Sequence, residues 1–390
     1  MTTTAAYTVL EAGHKLSLYE IPRRKLTGKD VLVKILYSGI CRSDQHHIDN
    51  DWGDSKYPLV PGHEIVGEVI EIGANVSEVQ VGDKVAIGNM TDSCQQCMSC
   101  AKGKEQYCAN GGPTWTYNSR ERIMDEKTRT LRPEGDRTFG GYSGSIVAQE
   151  KFVLKLPENL VRSDLARCAP LLCAGITVYA PLKHWKIGKD CKVGIAGIGG
   201  LGHLGIKFAK ALKAETVALT RTPNKMQDSI EMGADDALLI DNELILALEA
   251  AEKIDMEKDL TKQEEKAFLN RTEDLQYRNY FDMIICTIPV SHDPTPYLRL
   301  IKAETGKIHV VGNMNDFPGL QGIKFVFHGK NITSSNVGGI PETKEMLQFC
   351  SDNNILADIE LVSHSSVNES IQNLVANKVR YRYVMDMTDL

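Results

Sequence analysis

The sequence predicts an α/β protein: a doubly wound domain built on a parallel sheet, joined to a mostly β, partly open barrel. Three observations carry this. Up to about residue 150 the chain is rich in glycine and in short β-branched runs bounded by turn residues. From about residue 160, short apolar strands alternate with helical stretches, which implies parallel pairing. From about residue 335 the alternation stops, and this tail is expected to return to the first domain. The expected division is therefore 1–170 with 335–390 for the barrel and 171–334 for the doubly wound domain.

Taken in order, VLVKILYSG (31–39), EIVGEVIEIG (64–73) and GDKVAIG (82–88) read as strands of the barrel. One helical segment, SDLARCAPLLCAGITVYAPLKHW, leads into the strand KVGIAGI (192–198). The helix GGLGHLGIKFAKALK (199–213) and the strand TVALT (216–220) follow, then the strands FDMIICTI (281–288) and GKIHVVGN (306–313). The tail holds a helix, ETKEMLQFCSDNN, and the strand-like VRYRYVMDM. Two stretches read as insertions with solvated, charged surfaces. Residues 119–137 carry six basic and five acidic side chains with no apolar face, and the helix-prone 241–280 carries 11 acidic against six basic.

With 390 residues, 42% hydrophobic and 25% charged, the chain has material for two or three globular domains and a sizeable core. A net charge of −6 gives no basic footprint for nucleic acid. No apolar run is long enough to span a membrane, and the opening MTTTAAYTVLEAGHKLSLYE lacks the layout of a secretory signal. A cytoplasmic enzyme is the expectation. There, clustered cysteines point to metal or catalysis rather than to disulfides.

Four of the ten cysteines are clustered: Cys94, Cys97, Cys100 and Cys108, spaced C-x2-C-x2-C-x7-C. Four thiolates from one loop suit a tetrahedral Zn²⁺ with Zn–S bonds of about 2.3 Å, and a filled shell leaves no place for water, so this ion is structural. An iron–sulfur cluster is the competing occupant. Its bacterial pattern adds a proline after the last cysteine, where this chain has Ala109.

Cys41 in GICRSDQHH, His63 in VPGHEIVGEV and Cys173 in PLLCAGIT are candidates for a second, open site. Two thiolates and an imidazole leave one position for water or a substrate oxygen, as a catalytic zinc needs. Spacing alone says little, because the three lie far apart and a cysteine in an apolar run is commonly just buried.

The motifs GHEIVGEV, CRSDQH, SCQQCMSCAKGKEQYC, GGYS, APLLCAGITVY, GIGGLGH and VRYRYVMD occur in this order. Together they resemble the cinnamyl alcohol dehydrogenase branch of the zinc-dependent medium-chain dehydrogenases, from about residue 10 to 388. The resemblance implies a GroES-like catalytic domain, a Rossmann domain and a homodimer. It implies Cys41, His63 and Cys173 as catalytic zinc ligands, with Glu64 able to approach the metal and Asp44 holding the far nitrogen of the histidine. Ser43 and His46 match the family's proton relay, whereas His47 matches nothing and reads as a surface histidine. Arg42 departs from the branch, which usually has histidine there, and resembles the broader alcohol dehydrogenase group, in which arginine grips the cofactor pyrophosphate; Arg380 in VRYR is expected to do likewise. Trp52 falls at the spacing of an aromatic residue that lines the substrate cleft, with a core tryptophan as the alternative. Cys168 reads as a core thiol.

The turn GIAGIGGLGHLG holds Gly197-x-Gly199-x-x-Gly202, with Gly200 and Leu201 inside it, between a strand and a helix. In that setting the glycines let backbone approach a dinucleotide pyrophosphate at the helix start. The next strand ends in TRTPNK, with no carboxylate for a ribose 2′-hydroxyl. Thr220, Arg221, Thr222 and Lys225 stand there instead, two hydroxyls and two cations suited to a 2′-phosphate, and so to NADP(H). The expected function is a zinc-dependent NADP(H) alcohol dehydrogenase or aldehyde reductase with one catalytic and one structural zinc. A polyol or sugar dehydrogenase is the alternative; a non-catalytic zinc-stabilised scaffold has no use for the intact Cys41–His63–Cys173 set.

Overall fold

A computed structural model describes residues 2–122, 136–312, 316–320, 322, 325 and 329–390. The chain divides into two compact units, 1–176 with 337–390, and 177–336. The expected junctions at 170 and 334 lie six and two residues earlier, and the shift at the first brings Cys173 into the first unit.

The first unit is organised on the strand Asp30–Ile40, whose pattern of buried residues runs almost unbroken. Val31, Val33, Ile35 and Ile40 have no exposed surface, and each such side chain contributes roughly 1.5–3 kcal/mol by burial. The strand pairs antiparallel with Ile65–Ile72, Ser145–Gln149 and Arg382–Asp386. Register shifts at Leu32/Val33 and Ile35/Tyr37 bend it, so that it serves three partners in one curved seven-stranded sheet. The C-terminal strand lies directly against it, Val384 opposite Gly39, which returns the tail to this unit.

The second unit is a six-stranded parallel sheet in the order Asp236–Leu239, Glu215–Thr220, Lys192–Ala196, Met283–Cys286, Lys307–Val310 and Asn331–Ser334. Its inner strands are buried over nearly their whole length, as a parallel sheet covered on both faces requires. The chain reverses direction across the sheet at Lys192–Ala196, and the crevice beyond the strand ends there is where such folds bind ligands.

Two expectations change. The single helical segment is a 3₁₀-helix, Leu165–Leu172, and an α-helix, Ala174–His184, bent by 57° at Cys173. Pro170 carries no N–H for a continuous α ladder, and Cys173 takes the non-helical φ −123°, ψ −73°. The stretch 241–280 is a crossover rather than a solvated insertion. Its helix Asn242–Asp255 is capped by Asp241 and buries Leu244, Ala247, Leu248 and Ala251, positions one, four, five and eight of a helical stripe that the high charge count conceals. A second helix, Lys262–Asn270, starts with a Thr261/Glu264 capping box. Most of the other insertion, 123–135, lies outside the described residues. Among the described residues no single helix is long and apolar enough to cross a membrane.

Candidate active site

Cys41 sits where the strand Asp30–Ile40 gives way to the helix Arg42–Asp49. Three residues on, Asp44 has no exposed surface and gathers four donors. Its Oδ2 accepts the Cys41 N–H (2.9 Å) and the Tyr142 hydroxyl (3.1 Å); its Oδ1 accepts the Gly62 N–H (3.0 Å) and His63 Nδ1 (2.9 Å). The carboxylate thereby fixes the imidazole so that Nε2 faces the other way. Nε2 is buried without a hydrogen-bond partner, a state that costs about 1–3 kcal/mol unless something binds it. Candidate ligand atoms of Cys41, His63, Glu64 and Cys173 all lie within 4.8 Å of one another, and the two sulfurs are 3.9 Å apart. Two sulfurs, an aromatic nitrogen and a carboxylate suit Zn²⁺. The donor set fits the metal.

The charges agree with this. Burial works against a charged His63 ring, but Asp44 outweighs it and holds the ring's pKa well above the usual histidine value. Cys41, hydrogen-bonded to Cys173, is held well below the usual thiol range, while Cys173 is pushed up by the same bond and by burial. Two sulfurs this close share one proton unless a cation separates them. Burial pushes Glu64 up to about 8 despite Arg382 beside it.

Arg382 is the residue that the sequence reading missed. It is 3% exposed, ion-paired to Glu64 Oε1, and donates to Cys41 Sγ at 3.6 Å. Arg380 is exposed and its backbone N–H bonds Glu360 Oε1 at 2.7 Å. The strand starts at Arg382, three residues after the expected VRYRYVMDM begins. A cation heading the apolar run Tyr383–Met385 was the available signal, since such a group needs a buried counter-charge. Tyr142, the tyrosine of GGYS, was likewise legible only as a motif.

Around this pocket, Ser43 Oγ lies 3.7 Å from Cys41 Sγ. His46 Nδ1 contacts Asp51 Oδ2 at 2.6 Å. His47 is not a surface histidine: its ring meets Trp52 edge-on at 4.8 Å and Tyr117 at 5.2 Å, and Tyr117 lies 5.8 Å from the His63 ring. Trp52 is 38% exposed, not a core residue. Arg42 points its guanidinium at the carbonyls of Leu374 and Val375, both at 3.5 Å. Cys168 is fully buried, its thiol pushed up to about 12 by burial.

Cys94, Cys97, Cys100 and Cys108 also converge to within 4.8 Å. The Cys97 N–H donates to Cys94 Sγ (3.3 Å) and the Ala109 N–H to Cys97 Sγ (3.4 Å). Backbone donors aimed at sulfur stabilise thiolates; those on Cys97 bring it down to about 6.

In the second unit, Gly197 takes φ +89°, which favours glycine. A Cβ on Gly202 would lie 2.0 Å from the Gly197 carbonyl oxygen, whereas one on Gly199 would meet nothing. Gly200 and Leu201 complete the turn before the helix Gly202–Ala211. At the end of the next strand, the Thr222 N–H donates to Thr220 Oγ1 at 3.1 Å, Arg221 is exposed, and Lys225 Nζ reaches the Ile198 carbonyl of the glycine turn at 2.8 Å. Burial lowers the Lys225 pKa.

An open Cys/His/Cys pocket in one unit and a glycine turn on a parallel sheet in the other define a metal-dependent medium-chain dehydrogenase. Residues 27–158 match the family model for the alcohol dehydrogenase GroES-like domain, and residues 200–352 that for the zinc-binding dehydrogenase. The chain is 36% identical to the NADP-dependent alcohol dehydrogenase C 1 of Mycolicibacterium smegmatis, covering 100% of this chain and 99% of the relative. It is 40% identical to a probable mannitol dehydrogenase of Medicago sativa, covering 96% and 92%. A solved cinnamyl alcohol dehydrogenase from Sorghum bicolor superposes with a TM-score of 0.83 at 33% identity, covering 100% and 98%. The chain belongs to the zinc-type alcohol dehydrogenase family and is an oxidoreductase.

Proposed function

We propose that this protein transfers hydride between NADP(H) and a primary alcohol/aldehyde pair, with one zinc ion in the Cys41–His63–Cys173 pocket and a second in the four-cysteine lobe. The observation that carries the reading is the buried His63 Nε2, unpartnered and facing two sulfurs. A zinc ion there supplies Lewis acidity to the substrate oxygen, and NADP(H) supplies or accepts the hydride.

The chain's own residues do the rest. Asp44 keeps Nδ1 protonated, which leaves Nε2 as the metal-facing lone pair and makes it more basic. Tyr142 and the Cys41 N–H hold Asp44 in place. Arg382 balances Glu64 and the Cys41 sulfur, so that the pocket's anionic groups coexist out of water. Ser43 passes the alcohol proton outward and His46, steadied by Asp51, delivers it to solvent. Thr220, Arg221, Thr222 and Lys225 take the 2′-phosphate by charge-assisted bonds, while the glycine turn takes the pyrophosphate. Trp52 borders the substrate.

The test is oxidation of NADPH and of NADH against a panel of aromatic and aliphatic aldehydes, with metal counted on the same preparation. NADPH-dependent turnover with two zinc ions per chain supports the reading, and activity with NADH alone contradicts the cofactor assignment. Mannitol belongs in the panel because of the Medicago relative: oxidation of polyols in preference to simple alcohols favours the polyol dehydrogenase reading. Ser43→Ala is expected to slow turnover by about a hundredfold, the low end for a proton-transfer group, with both zinc ions retained. Unchanged turnover removes the relay role.

A further inference from the structure

The charged insertion 119–137 has no place in the chemistry above, yet its base is built with care. The Arg120–Arg137 bridge, the Glu121 N–H to Asp136 carbonyl bond (2.8 Å) and the Thr138 N–H to Ser119 carbonyl bond (3.1 Å) pair its two ends into a strand-like neck. The neck is pinned sideways by Glu121, ion-paired to Arg24 Nε at 3.0 Å. From it the Arg122 guanidinium, only 7% exposed, enters the four-cysteine lobe. It donates to Cys108 Sγ at 3.8 Å, to the Asn110 carbonyl at 3.2 Å and to the Gly112 carbonyl.

We infer that Arg122 is a positioning residue for the metal of that lobe, and that the insertion's neck exists in part to hold it there. Four thiolates around one Zn²⁺ leave a net charge of −2, which is costly to keep away from water. Cys94 and Cys97 each receive a backbone N–H, a donor that any sequence supplies. Cys108 receives a side-chain cation in addition to backbone donors, and the cation both neutralises charge and fixes the direction of the sulfur's lone pairs. All three contacts run from Nη2, so the two carbonyls hold in place the nitrogen that faces the Cys108 sulfur. Partners of this kind change metal affinity by about 10–100-fold.

This inference rests on the proposal that the lobe holds zinc, and one experiment separates the two. The full chain carrying Cys173→Ala, which leaves the lobe as the ion's site, is compared with the same chain carrying Arg122→Met or Arg122→Lys as well. Release of zinc to a chromogenic chelator is timed, and the sulfur-to-metal charge-transfer band is recorded after cobalt exchange. Arg122→Met is expected to release the ion about 10–100-fold faster and to move the band to lower energy, because a sulfur that loses a donor holds its electrons less tightly. Arg122→Lys, which keeps the charge and loses the planar guanidinium, is expected to fall between, and it carries the test alone if the Met variant does not fold. Unchanged rate and band in the variants overturn the inference. Faster release with an unmoved band also overturns it, since that is loss of scaffold without any effect on the sulfur. No metal in the parent chain overturns the zinc proposal itself.

Discussion

Two histidines in this protein are almost equally buried, His63 at 2% exposed and His309 at 3%, and they are built for opposite ends. His309, on the strand Lys307–Val310 of the second unit, has both nitrogens occupied: Nδ1 by the Thr333 hydroxyl and Nε2 by the Ser335 hydroxyl, each at 2.9 Å. Its partners are neutral, and burial lowers its pKa to about 4. His63 has one nitrogen on a carboxylate and the other on nothing, and its pKa is held up. Burial alone does not make a ligand. A carboxylate on one side and a deliberate gap on the other do.

The hardest way to break this contrast is to remove the open nitrogen. His63→Ala is expected to lower kcat/KM by about a thousandfold or more, since Lewis-acid stabilisation is worth several kcal/mol. One zinc per chain, that of the four-cysteine lobe, should remain. Turnover within tenfold of the parent removes His63 from the chemistry. A milder blow falls on the carboxylate. Asp44→Asn keeps the shape and loses the charge, and is expected to weaken the pocket's metal affinity by about 10–100-fold, as read by competition with a chelator. An unchanged affinity means that Asp44 is only a packing group.

His309 gives the most gradual effect, in stability rather than rate. Its folded pKa, about 4, lies below the unfolded value of about 6.5. As pH falls the unfolded chain takes the proton first. The stabilisation is therefore complete above about pH 6.5 and lost on the way down to about pH 4, by about 3 kcal/mol at most. Denaturant midpoints measured across that window should slope downwards in the parent and flatten in His309→Gln. The same slope in both places the titration elsewhere.

The sequence disclosed donor sets better than their wiring. Cys94, Cys97, Cys100 and Cys108 sit within one loop, so their spacing is their geometry. Cys41, His63 and Cys173 are brought together by a strand end, a loop and a helix break, and only resemblance joined them. The break at Cys173 was hard to read because LLCAGITVY is an unbroken, almost wholly apolar run; Pro170 and Gly175 were the local signs. Arg382 escaped because a buried cation is recognised by its counter-ion, here 318 residues away in sequence. The crossover 241–280 was obscured by charge on its outer face, although Leu244, Leu248 and Ala251 already marked the inner one. Where a short-range rule governs, as in the glycine turn, sequence and structure coincide.

The central claim is that a metal held by Cys41, His63 and Cys173 performs the chemistry. The most direct measurement follows NADPH-dependent turnover against zinc content as a chelator strips the more exchangeable of two ions. Activity should fall in proportion, reach zero at one zinc per chain while the protein stays folded, and return when zinc is restored. Full turnover at one zinc per chain, with the pocket's ion shown to be the one removed, would contradict it.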